Sequence, residues 1–293
     1  DRILFKEMGS FASWSFLIQS AYIITMQGTT VVLNTFFGVV INAAQGIANQ
    51  VSNQIKNFLG TMQTALNPVI IKRESKKDRA RMLEASMFGN KIAFFVLAFM
   101  SIPLLIEMQS ILNIWLKDVP EFAVIFCRLQ LIRLIIGALT QSFFVAIGAI
   151  GNIKKYSIWE SVLFISVLPA SYILFSRGAS PEVIYFIMIL AGSLIGVVRV
   201  YFLNKLGGLS VSMFLKNIVL RSIGVFILTF GVASVPLFMK DAEIWRLLLV
   251  LAGSSGSLLL FGYYFGFNLV EKKQLKDVLQ NFRRKGLGGK SPK

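Results

Sequence analysis

The sequence predicts an all-α integral membrane protein, and two observations lead to this class. Only 15% of the 293 residues are charged, whereas a soluble domain carries about 25%, and the mean hydropathy is +0.69. Apolar residues occur in long runs, such as Ile92–Ile106, Ile158–Phe175 and Ile218–Phe230. With their weakly polar flanks, these runs reach the roughly 20 residues that a helix needs to cross about 30 Å of hydrocarbon.

The apolar runs predict about eight transmembrane helices. In chain order they are Phe11–Gln27, Val39–Asn67, Phe88–Leu112, Phe122–Ile147, Ile158–Phe175, Val183–Leu203, Asn217–Phe238 and Trp245–Phe267. The connections between them are short, so neighbouring helices are expected to pack antiparallel.

Basic residues orient these spans. The net charge is +16, and 20 of the 30 Lys and Arg residues lie in one set of loops and the two ends. The alternate loops hold three, and seven lie within or at the edges of spans. Positive loops stay in the cytoplasm, so both ends of the chain are predicted to be cytoplasmic. Because the Lys and Arg residues are concentrated in alternate loops, as in a membrane protein, we expect no nucleic-acid partner.

The reactive side chains are few. The sequence has one cysteine, Cys127, and no histidine, which removes histidine-based catalysis and most zinc or haem sites. The predicted loops are short, and no pair of acidic residues suited to a metal lines a helix face. We therefore expect neither a cofactor nor an enzymatic activity.

A polar stripe follows the second predicted span at steps of three or four residues. It consists of Asn42, Gln45, Asn49, Asn53, Lys56, Gly60, Gln63 and Asn67. The period of about 3.6 residues places all of them on one helix face, about 37 Å long. Unpaired amides are costly in lipid, so the stripe faces either other helices or a water-filled cavity. The amine of Lys56 near mid-span favours the cavity.

Arg133 is the second candidate ligand, because it lies about eleven residues into the fourth span, on a face shared with Gln130 and Gln141. Its forked guanidinium suits phosphate oxygens, although a buried pairing role is the alternative. Arg199, near the cytoplasmic end of its span, is expected to snorkel to the surface. Glu160 is expected to favour a helix N-terminus. The predicted lining is cationic and rich in amides, which favours an anionic or polyhydroxylated substrate.

The segment "NTFFGVVINAAQGIANQVSNQIKNFLGTMQTALNPVIIK", residues 34–72, resembles the seventh and eighth helices of bacterial polysaccharide flippases of the Wzx type. These belong to the multidrug/oligosaccharidyl-lipid/polysaccharide exporter superfamily. Residues 111–156 and 208–223 are similar to later stretches of the same family. The resemblance covers most of the chain, and it brings no single catalytic motif.

The resemblance implies two six-helix lobes around a central cavity. Residues 1–207 would be the second lobe, 208–270 two additional helices, and 271–293 a basic cytoplasmic tail. We expect the N-terminal lobe to be missing from this chain, which starts at Asp1. The protein would lie in the bacterial inner membrane, in contact with membrane lipids.

The implied function is to move undecaprenyl-pyrophosphate-linked oligosaccharide from the inner to the outer leaflet by alternating access, for surface polysaccharide or O-antigen biosynthesis. Lys56 and Arg133 would bind the pyrophosphate. The side chains that would offer hydrogen bonds to the sugars are Asn49, Asn53, Gln63, Gln130 and Gln141. A cation-coupled multidrug antiporter of the same superfamily is the alternative, favoured if the missing lobe carries a buried carboxylate. A membrane enzyme or an assembly scaffold fits the sequence less well.

Overall fold

The computed structural model describes residues 2–238, 243–268 and 271–272 of the chain, so most of the predicted basic tail lies outside the described residues. The described residues form helices without strands, which confirms the all-α prediction for this part. The helices are α1 Arg2–Ser75, α2 Arg79–Trp115, α3 Ala123–Ala138, α4 Gln141–Ile150, α5 Lys154–Ser176, α6 Val183–Gly207, α7 Val211–Phe238 and α8 Ile244–Gly266.

Six helices in the described ranges are long and apolar enough to cross a membrane, or seven if α3 and α4 together form one span. These two helices meet at an angle of 41° across a short break, within the region predicted as the single span Phe122–Ile147. Both α7 and α8 contain a turn of π-helix, Leu215–Leu220 and Gly262–Gly266 respectively. The structure therefore has the architecture of a multi-pass membrane protein.

Helix α1 is divided at Gly38, where the backbone leaves helical geometry at φ 77° and ψ −170°. As one straight helix, its 74 residues would be about 110 Å long, more than three times the hydrocarbon thickness. Instead, Tyr22 in the first arm and Lys56 in the second interact and line one cavity. In a straight helix these residues would lie about 51 Å apart. The chain therefore reverses at Gly38, between the first two predicted spans.

The first arm of α1 runs alongside α5 in the same direction. At one end, the Lys154 ammonium lies 5.5 Å from the centre of the Trp14 ring. At the other end, the rings of Phe37 and Phe175 pack edge to face with centroids 4.9 Å apart. This pairing places the beginnings of α1 and α5 on the same side of the bundle.

Helices α7 and α8 pack on each other and against α2, with ion pairs near both ends of the contact. The Lys91 ammonium donates to both carboxylate oxygens of Glu271, at 2.8 and 2.7 Å. The Arg246 guanidinium donates to both carboxylate oxygens of Glu107, at 2.7 and 2.9 Å. Because Lys91 and Glu107 are 16 residues apart, the two ion pairs are separated by about 24 Å along α2.

Candidate functional site: a cationic cavity

A cavity of about 380 Å³ lies where the two hydrophobic core clusters meet. Its apolar wall takes Ile18 from one cluster and Leu59 and Leu97 from the other. The break between α3 and α4, at Thr140, also reaches the wall. The polar side chains of the lining are Gln19, Tyr22, Lys56, Gln63, Arg133, Thr140, Gln141, Glu160 and Arg199. Polar groups from six helical segments thus converge on one space.

Four of the seven predicted site residues line this cavity. Lys56 and Gln63 come from the second arm of α1, Arg133 from α3, and Gln141 from the first turn of α4. Lys56 lies one residue from the centre of its arm, residues 39–75. The structure thus brings together residues that the sequence assigned to two separate polar faces, one on the second predicted span and one on the fourth.

Gln130 lies behind Arg133 and is absent from the cavity lining. Its side chain is buried, and its Oε1 accepts a hydrogen bond from Arg133 Nε at 3.0 Å. Its Nε2 donates to Ser52 Oγ at 3.2 Å, which links α3 to α1. Direct contact between Gln130 and the substrate stays a prediction, because in this structure both ends of the amide bind protein groups. The amide fixes the orientation of the arginine.

The remaining two predicted residues, Asn49 and Asn53, are also absent from the lining. Asn49 is half-buried, and its backbone carbonyl accepts a hydrogen bond from Ser52 Oγ at 3.0 Å. Asn53 is exposed and belongs to a wider polar face of the second arm. This polar face consists of Gln50, Asn53, Gln54, Asn57, Thr61 and Thr64, all exposed. The two threonines donate to backbone carbonyls of their own helix.

The cavity carries more positive than negative charge. Its one carboxylate, Glu160, accepts a hydrogen bond from Arg199 at 2.6 Å and so neutralises that residue. Among the residues that the structure describes, neither Lys56 nor Arg133 forms an ion pair. The Tyr22 hydroxyl interacts with both of these cations. Two positive charges thus share the cavity, and no carboxylate within the described ranges forms an ion pair with either of them.

The prediction that Arg199 snorkels to the surface is wrong, because the structure buries it beside Glu160. Its guanidinium also stacks over the Phe144 ring, 5.6 Å from the centroid. A signal for this pairing was present in the sequence. Glu160 lies six residues after the start of α5, and Arg199 lies eight residues before the end of α6. Antiparallel neighbours bring these positions to a similar depth.

Arg128 also has a role that the sequence did not indicate. Its guanidinium donates to the backbone carbonyls of Leu105 and Ile106, at 2.9 and 3.2 Å. The next residue, Glu107, has non-helical backbone angles inside α2. Arg128 therefore satisfies two backbone carbonyls beside this irregular turn.

Comparisons with protein-family models, with curated proteins and with solved structures find no match to this chain.

Proposed function

We propose that this chain is one lobe of a flippase that moves undecaprenyl-pyrophosphate-linked oligosaccharide from the inner to the outer leaflet by alternating access. The observation that carries the proposal is the pair of cations, Lys56 and Arg133, which share a cavity and form no ion pair with any residue that the structure describes. A charge near mid-membrane costs about 2.5–3.5 kcal/mol on insertion scales, so it is retained where a ligand or water meets it. A pyrophosphate group supplies the complementary charge.

The chemistry of the lining agrees with a lipid-linked sugar phosphate. Lys56 provides a compact charge, and Arg133, held by Gln130, presents its remaining N–H groups for phosphate oxygens. The amides of Gln63 and Gln141 can hydrogen-bond to sugar hydroxyls. The resemblance of residues 34–72 to polysaccharide flippases adds the undecaprenyl carrier and a role in surface polysaccharide or O-antigen biosynthesis.

The polar face of α1 supports a second lobe as partner. Amides such as Gln50, Asn53 and Asn57 are exposed on a membrane-crossing helix, and amides facing lipid are costly. A water-filled cavity between two lobes would remove this cost, and rocking of the lobes would open the cavity to each leaflet in turn. We propose eight crossings, with each arm of α1 counted once, and both chain ends on the cytoplasmic side of a bacterial inner membrane.

The alternative of a cation-coupled antiporter is favoured by one observation. Glu160 supplies a buried carboxylate in the cavity wall, which the sequence did not place there. Its charge, however, is already neutralised by Arg199. The flippase remains the better proposal because Lys56 and Arg133 leave the lining positive.

Binding of undecaprenyl pyrophosphate to the chain in nanodiscs of neutral lipid tests the flippase proposal. Lys56→Gln and Arg133→Gln are expected to weaken binding about 10-fold or more, since each removes a charge-assisted contact. Lys205→Gln and Arg177→Gln remove exposed cations of the same types outside the cavity and are expected to bind normally. Equal affinity in all four variants and the wild type would contradict the proposal.

A further inference from the structure

The ion pair in the cavity wall is incompletely formed. Arg199 donates one hydrogen bond to Glu160 Oε1 at 2.6 Å, and another, at 3.5 Å, to the backbone carbonyl of Thr140. Glu160 Oε2 and Arg199 Nε are buried and have no hydrogen-bond partner within the described part of the chain. The Tyr156 hydroxyl lies close enough to interact with both charged groups, but within the described residues it forms no hydrogen bond of standard geometry with either.

Two other ion pairs in the interior of the described bundle differ from this one. Glu107 accepts a hydrogen bond on each carboxylate oxygen from Arg246, and a further one from Ser110 at 3.0 Å. Glu271 accepts on both oxygens from Lys91. Both saturated pairs attach α2 to the C-terminal segment, and neither belongs to the cavity lining. The unsaturated pair is thus the one that faces the space available to a ligand.

Because Glu160 occupies only part of the hydrogen-bonding capacity of Arg199, the guanidinium can bind a different anion. A guanidinium has five N–H donors in a planar fork, and a carboxylate that holds one of them competes weakly with a phosphate group that can hold two. Arg199, Lys56 and Arg133 all line the same cavity. A pyrophosphate bound there can therefore be met by three cations instead of two.

We propose that Glu160 is a built-in competitor that the substrate displaces from Arg199, and that the pair re-forms when the substrate leaves. This inference rests on the proposed function of the cavity as a pyrophosphate site. Three free cations would hold a pyrophosphate tightly, whereas transport requires binding that is weak enough to allow release. Re-formation of the Glu160–Arg199 bond offsets part of the free energy lost on release.

The affinity of two probes for the chain in neutral-lipid nanodiscs tests whether Glu160 competes with the substrate. The probes are inorganic pyrophosphate and undecaprenyl pyrophosphate, which share the headgroup chemistry. Glu160→Gln keeps the shape and one acceptor oxygen but removes the charge, so both probes are expected to bind about tenfold more tightly, equivalent to about 1.4 kcal/mol. Glu107→Gln is the matched control, since it neutralises a buried carboxylate outside the cavity and leaves affinity unchanged.

A double-mutant cycle isolates the role of Arg199. Arg199→Gln alone is expected to weaken binding, and Glu160→Gln is expected to give no gain when Arg199 is already Gln. If Glu160→Gln does not fold, Glu160→Asp, whose shorter side chain holds Arg199 less well, is expected to give a smaller gain of the same sign.

Three results would contradict the proposal that Glu160 competes with the substrate for Arg199. They are an unchanged or weaker affinity in the folded Glu160 variants, a gain that persists without Arg199, and a gain confined to the lipid probe. If the wild type binds and Lys56→Gln does not, the proposed function stands whatever Glu160 does. If neither the wild type nor Glu160→Gln binds either probe, both proposals fail.

Discussion

Replacement of Gln130 by methionine separates two roles for this residue. Methionine has a similar size but neither donates nor accepts at the amide positions, so Arg133 Nε loses its acceptor at 3.0 Å and Ser52 Oγ loses its donor at 3.2 Å. A hydrogen bond to a charged group contributes about 1.5–3 kcal/mol, and a neutral one about 1 kcal/mol. Ser52 keeps its bond to the Asn49 carbonyl. We therefore expect Gln130→Met to lower the free energy of unfolding by about 2.5–4 kcal/mol.

The binding assay then compares bare undecaprenyl pyrophosphate with the same lipid carrying an oligosaccharide. If Gln130 orients Arg133, both ligands should bind about tenfold more weakly to Gln130→Met, because the affected contact is with the headgroup. Arg133→Gln/Gln130→Met should bind no more weakly than Arg133→Gln, since the amide acts through the arginine. Normal affinity for the bare lipid with reduced affinity for the glycosylated lipid would refute this reasoning, because Gln130 would then contact the sugar.

Three further outcomes are expected. A cysteine introduced at Ser180 should react with an impermeant maleimide from outside the cell and one at Ser75 should not, since positive loops stay inside; external labelling at Ser75 would refute the topology. Glu107→Gln should lower the free energy of unfolding by about 2–3 kcal/mol, since it removes the buried carboxylate charge that binds Arg246, whereas the exposed Glu121→Gln should leave denaturation unchanged. Gly38→Ala should cost about 1–3 kcal/mol in the same measurement, because Gly38 has φ 77° and ψ −170°, a region essentially restricted to glycine, and an unchanged midpoint would argue against a strict need for glycine at this reversal.

The buried charges depend on contacts between helices that their own positions in a span do not reveal. Depth alone predicts that Arg199 snorkels to the surface and that Glu160 stabilises a helix N-terminus. The structure pairs these two residues across 39 positions of chain, and it pairs Glu107 with Arg246 across 139. Comparing depths on antiparallel neighbours could have suggested the first pair. The pair of Glu107 and Arg246 joins helices that are distant in sequence. It can be predicted only when it is known that these helices pack together.

The polar stripe shows, within a single helix, which features the sequence predicts and which depend on tertiary packing. Its period of about 3.6 residues correctly placed Lys56 and Gln63 on one face. The structure divides its members between the cavity, the core and the exposed face, because the neighbouring helices cover only part of the arm. Gln45 is buried, for example, whereas Asn53 is exposed.

The sequence by itself determined that the protein is helical and crosses a membrane, and where most of the apolar segments lie. The reason is that transfer into hydrocarbon acts on each helix separately and depends on its own length and composition. Only the tertiary structure decided that Lys56, Arg133 and the Glu160–Arg199 pair share one cavity. Association between helices in a bilayer depends on close packing and on hydrogen bonds between distant residues, and lipid is as apolar as the helix surfaces. Hydropathy alone therefore cannot select which faces meet.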